Sequence, residues 1–170
     1  MIFTPESIDL IAHGLKTQTR RPVGEQDRCE TRLGAEGIAP FFRMGRLPGG
    51  DRIVRVTTNG RLKWVVGRTY AMNPPPPKGS KARMGKQVGR ILLKTIRCER
   101  VCDITGEDAL AEGVVLSSMG LTEADWSITF KGETFTRSSA PETFLAGWKK
   151  FYHTDLRELV WVLEFEMVEP

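Results

Sequence analysis

Residues 14–21 read GLKTQTRR. The segment before them, TPESIDLIAH (residues 4–13), offers Thr4 as an N-cap, Pro5 in a first turn, Ile8, Leu10 and Ile11 for an inward face, and Gly14 as a stop. That order predicts a helix over about residues 5–13. The chain leaves it carrying Lys16, Arg20 and Arg21 with no acid among them, and with Thr17 and Thr19 as the intervening hydroxyls. Lys16 and Thr19 are three apart, so on a straight strand they would point to opposite faces. Any chemistry that uses both requires a turn there.

Outward from this stretch, residues 22–60 are rich in Gly, Arg and acids with weak periodicity and read as an insertion holding one strand at RIVRVTT (52–58). LKWVVG (62–67) and RTYAM (68–72) read as strand, turn, strand, with Gly67 at the bend. The next stretch, NPPPPKGSKARMGKQ (73–87), predicts extended polyproline followed by a mobile loop. VGRILLKTIRCERVCDI (88–104) is a long strand or pair of strands with apolar residues of both parities, as in a small barrel. TGEDALAEG (105–113) reads as a short helix with Thr105 as N-cap, Asp108 as capping-box partner and Gly113 past the end. Glu112 then falls in the last turn, where the macrodipole disfavours an acid; a locally broken rule of this kind can mark a site.

Residues 114–140 form a second irregular insertion. PETFLAGWKKFYH (141–153) is a helix whose Phe144, Trp148 and Phe151 or Tyr152 form a stripe at helical spacing, read as core. LVWVLEFEM (159–167) closes the domain as a strand with Leu159, Trp161, Leu163, Phe165 and Met167 on one face.

At 170 residues the chain fits a single domain, residues 1–170, carrying the two insertions at about 22–60 and 114–140. Its 40% hydrophobic and 27% charged residues exclude wholesale disorder and fibrous architectures. The net charge of +4 is mild but unevenly spread, with bases dominating from Arg43 to Arg100 and acids gathering from Asp103 onward. That asymmetry suits a nucleic acid or nucleotide partner. Lys78, Lys81 and Arg83 belong to an acid-free run (78–90) that suits either a solvated loop or phosphate contact.

Cys29, Cys98 and Cys102 are odd in number and lack zinc-ligand spacing, so reduced packing thiols are expected and no metal site. His13 and His153 sit near predicted helix ends, where they can meet the last carbonyls. MIFTPESIDLIAHG lacks the marks of an export segment and no apolar run reaches membrane-span length, so the expectation is a cytoplasmic protein without membrane contact.

In this order, the short helix with GLKTQTRR, VGRTYAM (66–72), DITGEDALAEG (103–113), FLAGWKKFY (144–152) and VWVLEFEMV (160–168) resemble the ASCH domain, named for its homology to the activating signal cointegrator, and most of all its phage-type and bacterial members. The resemblance implies an α+β fold: a small PUA-like β-barrel with flanking short helices and a pocket suited to a base or nucleotide. Members have been linked to RNA binding, to RNA cleavage, and to amide hydrolysis of N4-acetylcytidine and related N4-acylated cytidines. The amidohydrolases' Gly-x-Lys-x-x-Thr-x-Arg motif is matched by Gly14, Lys16, Thr19 and Arg21, and their acid by Glu112. The resemblance implies Lys16, Thr19 and Glu112 as the catalytic group, with no cofactor and a cytidine-type nucleoside or RNA as partner.

The chemistry stands up on its own terms. Amide cleavage needs a nucleophile, a group to accept its proton and a donor to the leaving amine. Thr19 needs a neighbouring base, and Lys16 can serve if burial or the charges of Arg20 and Arg21 lower its pKa. Residue types alone fit equally well a phosphate patch of Lys16, Arg20 and Arg21. Of the two arginines, Arg21 is read as a structural ion pair and Arg20 as the ligand contact. Tyr70 and Trp64 each suit stacking on a base or filling the barrel wall.

Overall fold

The computed structural model describes residues 1–31, 36–38, 53–82, 84–119, 124–130, 132–153 and 155–169. Its elements are α1 (Pro5–Ala12), β1 (Gln18–Pro22), β2 (Asp27–Thr31), β3 (Glu36–Ile38), β4 (Ile53–Thr58), β5 (Arg61–Val65), β6 (Thr69–Met72), β7 (Gly89–Arg100), α2 (Gly106–Ala111), β8 (Val115–Met119), β9 (Ala124–Phe130), β10 (Glu133–Arg137), α3 (Ala140–Tyr152) and β11 (Leu159–Glu169). This is the expected α+β class. No described helix is long and apolar enough to cross a membrane.

Local sequence accounts for the helices. Thr4 caps α1 by accepting from the Ser7 N–H, and Gly14 leaves the helix at φ 71°. The Thr105–Asp108 capping box opens α2, and Ser139 caps α3. His13 and His153 are the C-cap residues of α1 and α3.

An eight-stranded sheet runs in the order β1-β11-β7-β4-β2-β3, with β5 paired to β4 and β6 to β7. The described pairings form an open path, yet the sheet is curved in the manner of a barrel. Trp161 Nε1 on β11 donates to Asp27 Oδ2 at the start of β2 over 2.8 Å, although the strands lie three ladder steps apart, about 14 Å in a flat sheet. The concave face holds Cys29, Ile53, Val56, Trp64, Leu93, Ile96, Trp161 and Leu163 as one cluster. A β-bulge makes this possible: Thr95 pairs with Glu164 and Leu93 with Phe165, so Lys94 is the extra residue and Ile96 turns to the same face as Ile91 and Leu93. The two parities noted for this strand in the sequence thus become one buried face on either side of the bulge. Val160 and Val162 on β11's other face pack under α3 with Phe144 and Trp148.

The segment 22–60 differs from its reading as an insertion with one strand. It supplies β2, β3 and β4, and β4 bridges to β7 at Ile53 and Ile96. The expected strand is β4, and its pairings with β2 and β7 are long-range, which a local pattern does not reveal. LKWVVG and RTYAM do form two strands, but β5 pairs with β4 and β6 with β7 rather than with each other. The strands β8, β9 and β10 build a separate three-stranded sheet, in the order β10-β9-β8, against α3. The proline-rich loop is closed at its neck, where Gly85 N–H donates to the Pro74 carbonyl at 2.9 Å and Asn73 Nδ2 to the Gly85 carbonyl at 3.0 Å.

Candidate active site

After α1 the chain reverses at Gly14, and Leu15 and Lys16 N–H both return to the Leu10 carbonyl. Lys16 therefore sits on a turn ahead of β1, where strand parity does not govern it. Thr17 fixes the entry to the strand: its N–H donates to the Ala111 carbonyl and its own carbonyl accepts from Phe165 N–H, both at 2.9 Å. Gly113 then lets the end of α2 approach this turn. At its φ of +95°, a Cβ would fall 2.9 Å from Leu10 Cδ1 and 3.6 Å from Lys16 Cβ.

The result is a buried ion pair between residues 96 apart in sequence. Lys16 Nζ lies 2.9 Å from Glu112 Oε2 and also donates to the Glu112 carbonyl oxygen. Glu112's second oxygen, Oε1, meets Arg20 Nη1 at 3.3 Å. Arg20 is 1% exposed, and its Nη2 pairs with Glu99 and with Asp108 at 3.2 Å. Arg97 extends the cluster through Glu99, Asp108 and Glu164. An acid in α2's last turn, unfavourable by the macrodipole, is thus held by two cations.

Burial drives the Lys16 pKa below the ordinary lysine range; the Glu112 carboxylate opposes this, and the charges of Arg21 and Arg20 reinforce it. Burial pushes the Cys98 thiol up to about 12, so it is no candidate nucleophile.

Thr19, on β1, pairs with Leu163 of β11 and is 4% exposed. Its hydroxyl has no hydrogen-bond partner among the described residues. Lys16, Thr19, Arg20, Arg21 and Glu112 all line one cavity of about 410 Å³, within the usual range for a small-molecule site. Successive β1 residues on both faces reach it because β1 is an edge strand and the cavity runs along that edge. Phe130 of β9 and Phe144, Trp148, Phe151 and Tyr152 of α3 form an aromatic wall of the same cavity, and the Arg20 guanidinium lies 5.6 Å from the centroid of the Phe144 ring. Trp148 and Tyr152 are stacked with ring centroids 4.1 Å apart.

The ion pairing of the two arginines is the reverse of that read from the sequence. Arg20 is the ion-paired residue, whereas Arg21 makes no ion pair among the described residues. Its Nη2 donates to the Ile2 carbonyl at 3.0 Å and its guanidinium lies 5.7 Å from the centroid of the Phe3 ring. Alternation on β1 decides this: Arg20 faces the acids of α2 and β7, and Arg21 faces away from them.

Trp64 and Tyr70 do not line the cavity. Trp64 belongs to the concave core with Lys63 over its ring, and the Tyr70 hydroxyl accepts the Val65 N–H at 2.7 Å. Lys78 and Lys81 are exposed on the proline-rich loop, whose Pro75 is the part that reaches the cavity. Arg83 lies outside the described residues. The aromatic wall went unread as a site because a stripe at helical spacing looks the same whether it fills a core or faces a cavity; here Phe144 and Trp148 do both. Asp108 was legible only as a capping-box partner, and Glu99 and Arg97 carried no local signal.

No family model and no curated protein matches the sequence. Among solved structures, the chain is similar to the crystal structure of an ASCH domain from Lactobacillus crispatus, at 13% identity and a TM-score of 0.43, covering 97% of this chain and 72% of that one.

Proposed function

We propose that this protein is an amide hydrolase that removes the N4-acyl group from N4-acetylcytidine-like nucleosides. The observation that carries the reading is the buried Lys16–Glu112 pair, at 2.9 Å, on a cavity that Thr19 also lines. These are the three residues that the resemblance to the N4-acetylcytidine amidohydrolases implies as the catalytic group.

Each residue has a role that its surroundings support. Lys16, with its pKa lowered, takes the proton of the Thr19 hydroxyl. The Thr19 oxygen bonds to the acyl carbon, and the negative charge that develops on the acyl oxygen forms in a cavity lined by cations. The carbon–N4 bond then breaks, and the proton held by the Lys16–Glu112 pair passes to the departing amine. Water cleaves the resulting acyl-threonine ester to release the acid. Arg20 keeps Glu112 in place, since it binds the carboxylate oxygen that Lys16 leaves free. The aromatic wall suits a flat pyrimidine.

The test is release of cytidine and acetate from N4-acetylcytidine by purified protein with a chelator present, compared with Lys16→Ala, Thr19→Val and Glu112→Gln. If folded wild-type protein releases cytidine from no N4-acylated cytidine, the assignment is wrong. A second reading, binding of RNA or modified nucleic acid, draws support from exposed Lys78 and Lys81 on the loop whose Pro75 reaches the cavity. It predicts affinity that falls steeply with salt and weakens in Lys78→Ala/Lys81→Ala. Cleavage of labelled RNA that is lost in Lys16→Ala would mark ribonuclease chemistry instead.

A further inference from the structure

The titratable groups lining the cavity are Lys16, Arg20, Arg21, Glu112 and Tyr152. Two of the three cations are matched by acids: Lys16 by Glu112, and Arg20 by Glu99, Asp108 and Glu112. Arg21 has no matching carboxylate among the described residues. It is nevertheless held in place, by the Ile2 carbonyl at 3.0 Å and by the Phe3 ring, which itself packs edge-on against Phe165 at 5.7 Å. Thr4 and Ser7, next along the chain from Phe3, bring hydroxyl-bearing side chains to the same cavity. An arginine that is held in place and uncompensated on a cavity wall is arranged for an oxyanion, because its fork of N–H donors matches phosphate and carboxylate.

We infer that Arg21 forms an anion subsite of this cavity, so that the preferred substrate carries a phosphate or carboxylate group in addition to the amide that is cleaved. This rests on the nucleoside reading above and narrows it: the better substrate is a nucleotide, or a cytidine whose acyl arm ends in a carboxylate. The Arg21 charge is felt inside the site, where it contributes to the lowered pKa of Lys16. An anion bound at Arg21 would therefore also return Lys16 towards its protonated form, which couples substrate charge to the state of the base.

The test measures binding by calorimetry, independently of turnover, in wild type, Arg21→Gln and Arg21→Lys. The ligands are cytidine, cytidine 5′-monophosphate, N4-acetylcytidine and N4-succinylcytidine, with the Thr19→Val background used for the two amides so that they survive the measurement. The expected result is a gain of about 10- to 100-fold for one of the anionic ligands over its neutral counterpart, as for hydrogen bonds to charged groups. Arg21→Gln should abolish the gain and Arg21→Lys should keep part of it. The phosphate pair and the succinyl pair separate a sugar phosphate from an acyl carboxylate as the source of the anion. Equal binding within both pairs, or a gain that survives in folded Arg21→Gln, overturns the anion subsite and leaves the nucleoside reading standing. Binding of none of the four by protein that retains Arg21, each ligand in its stated background, overturns both.

Discussion

Gly147 lies in the middle of α3, buried, with the Phe130 ring pressed against it. A Cβ at that position would fall 2.4 Å from Phe130 Cδ2 and 2.6 Å from Cε2. Carbon atoms in contact prefer about 3.5–4.0 Å, so in Gly147→Ala the ring must retreat by about 1 Å or more. Phe130 belongs to the wall of the 410 Å³ cavity, and its neighbours Phe144 and Phe151 hold it in a packed array. Movement of the ring therefore reshapes the cavity. Overpacking costs about 1–3 kcal/mol, and alanine in a helix interior recovers about 1 kcal/mol over glycine, so the variant should remain folded. A 1 Å displacement in a site costs as much as about 100-fold in rate. The assay is kcat/KM for N4-acetylcytidine and the bulkier N4-benzoylcytidine. Gly147→Ala should lower the benzoyl-to-acetyl ratio by at least about 10-fold, and Gly147→Ala/Phe130→Leu should restore much of it, as expected of coupled neighbours. An unchanged ratio in a folded variant would refute the reasoning.

Lys16→Ala, Thr19→Val and Glu112→Gln should each lower kcat by about 10²- to 10⁴-fold, and the triple variant by little more than the worst single one, because the residues act as a unit; additive losses would argue against a shared step. Lys16 works as a base only when neutral, and its pKa is lowered from 10.5, so activity should rise with pH along a limb centred below that value. Arg21→Gln removes one of the charges that lower it and should move the limb upward; a limb that does not move would disconnect Lys16 from the profile. Asp27 offers a test of the fold: burial raises its carboxyl pKa, but bonds from Thr58, Lys63, Gly24 and Trp161 more than offset this and leave it lowered. The stability it contributes is fully present above the unfolded value near 3.9 and is lost as pH falls through the lower folded value. Asp27→Asn should cost about 3 kcal/mol at neutral pH, about 6–12 °C in Tm for a chain of this size, and should flatten the acid limb of the stability profile.

The parts of this fold legible in the sequence are those specified by neighbours in the chain. α1 follows from Thr4, Pro5 and Gly14, and α2 from the Thr105–Asp108 box and Gly113, whose signals lie within one turn of the backbone they fix. β7 and β11 announce themselves by their length and apolar content. RIVRVTT showed β4, but β2 was hidden because its β4 partner lies far along the chain, as Asp27 opposite Thr58 illustrates. For the site, the motif brought Lys16, Thr19 and Glu112 to notice, and the structure places all three on one cavity. Which arginine faces acids could not be read, because it depends on strand phase and on Glu99 and Asp108 arriving from elsewhere.

The position of β11 has a consequence for biosynthesis. Among the described residues β1 pairs with β11 alone, Gln18 opposite Glu164, so its partner is made well over a hundred residues after it. At about 5–20 residues per second, β1 waits roughly 7–30 s on the ribosome without a partner. For more than half of that interval Arg20 precedes the acids that neutralise it, Glu99, Asp108 and Glu112, and until its end the Asp27 carboxylate lacks the indole of Trp161. The charged floor of the cavity is thus assembled among the last features of the molecule, and a chain stalled before β11 would expose polar groups that the finished protein buries.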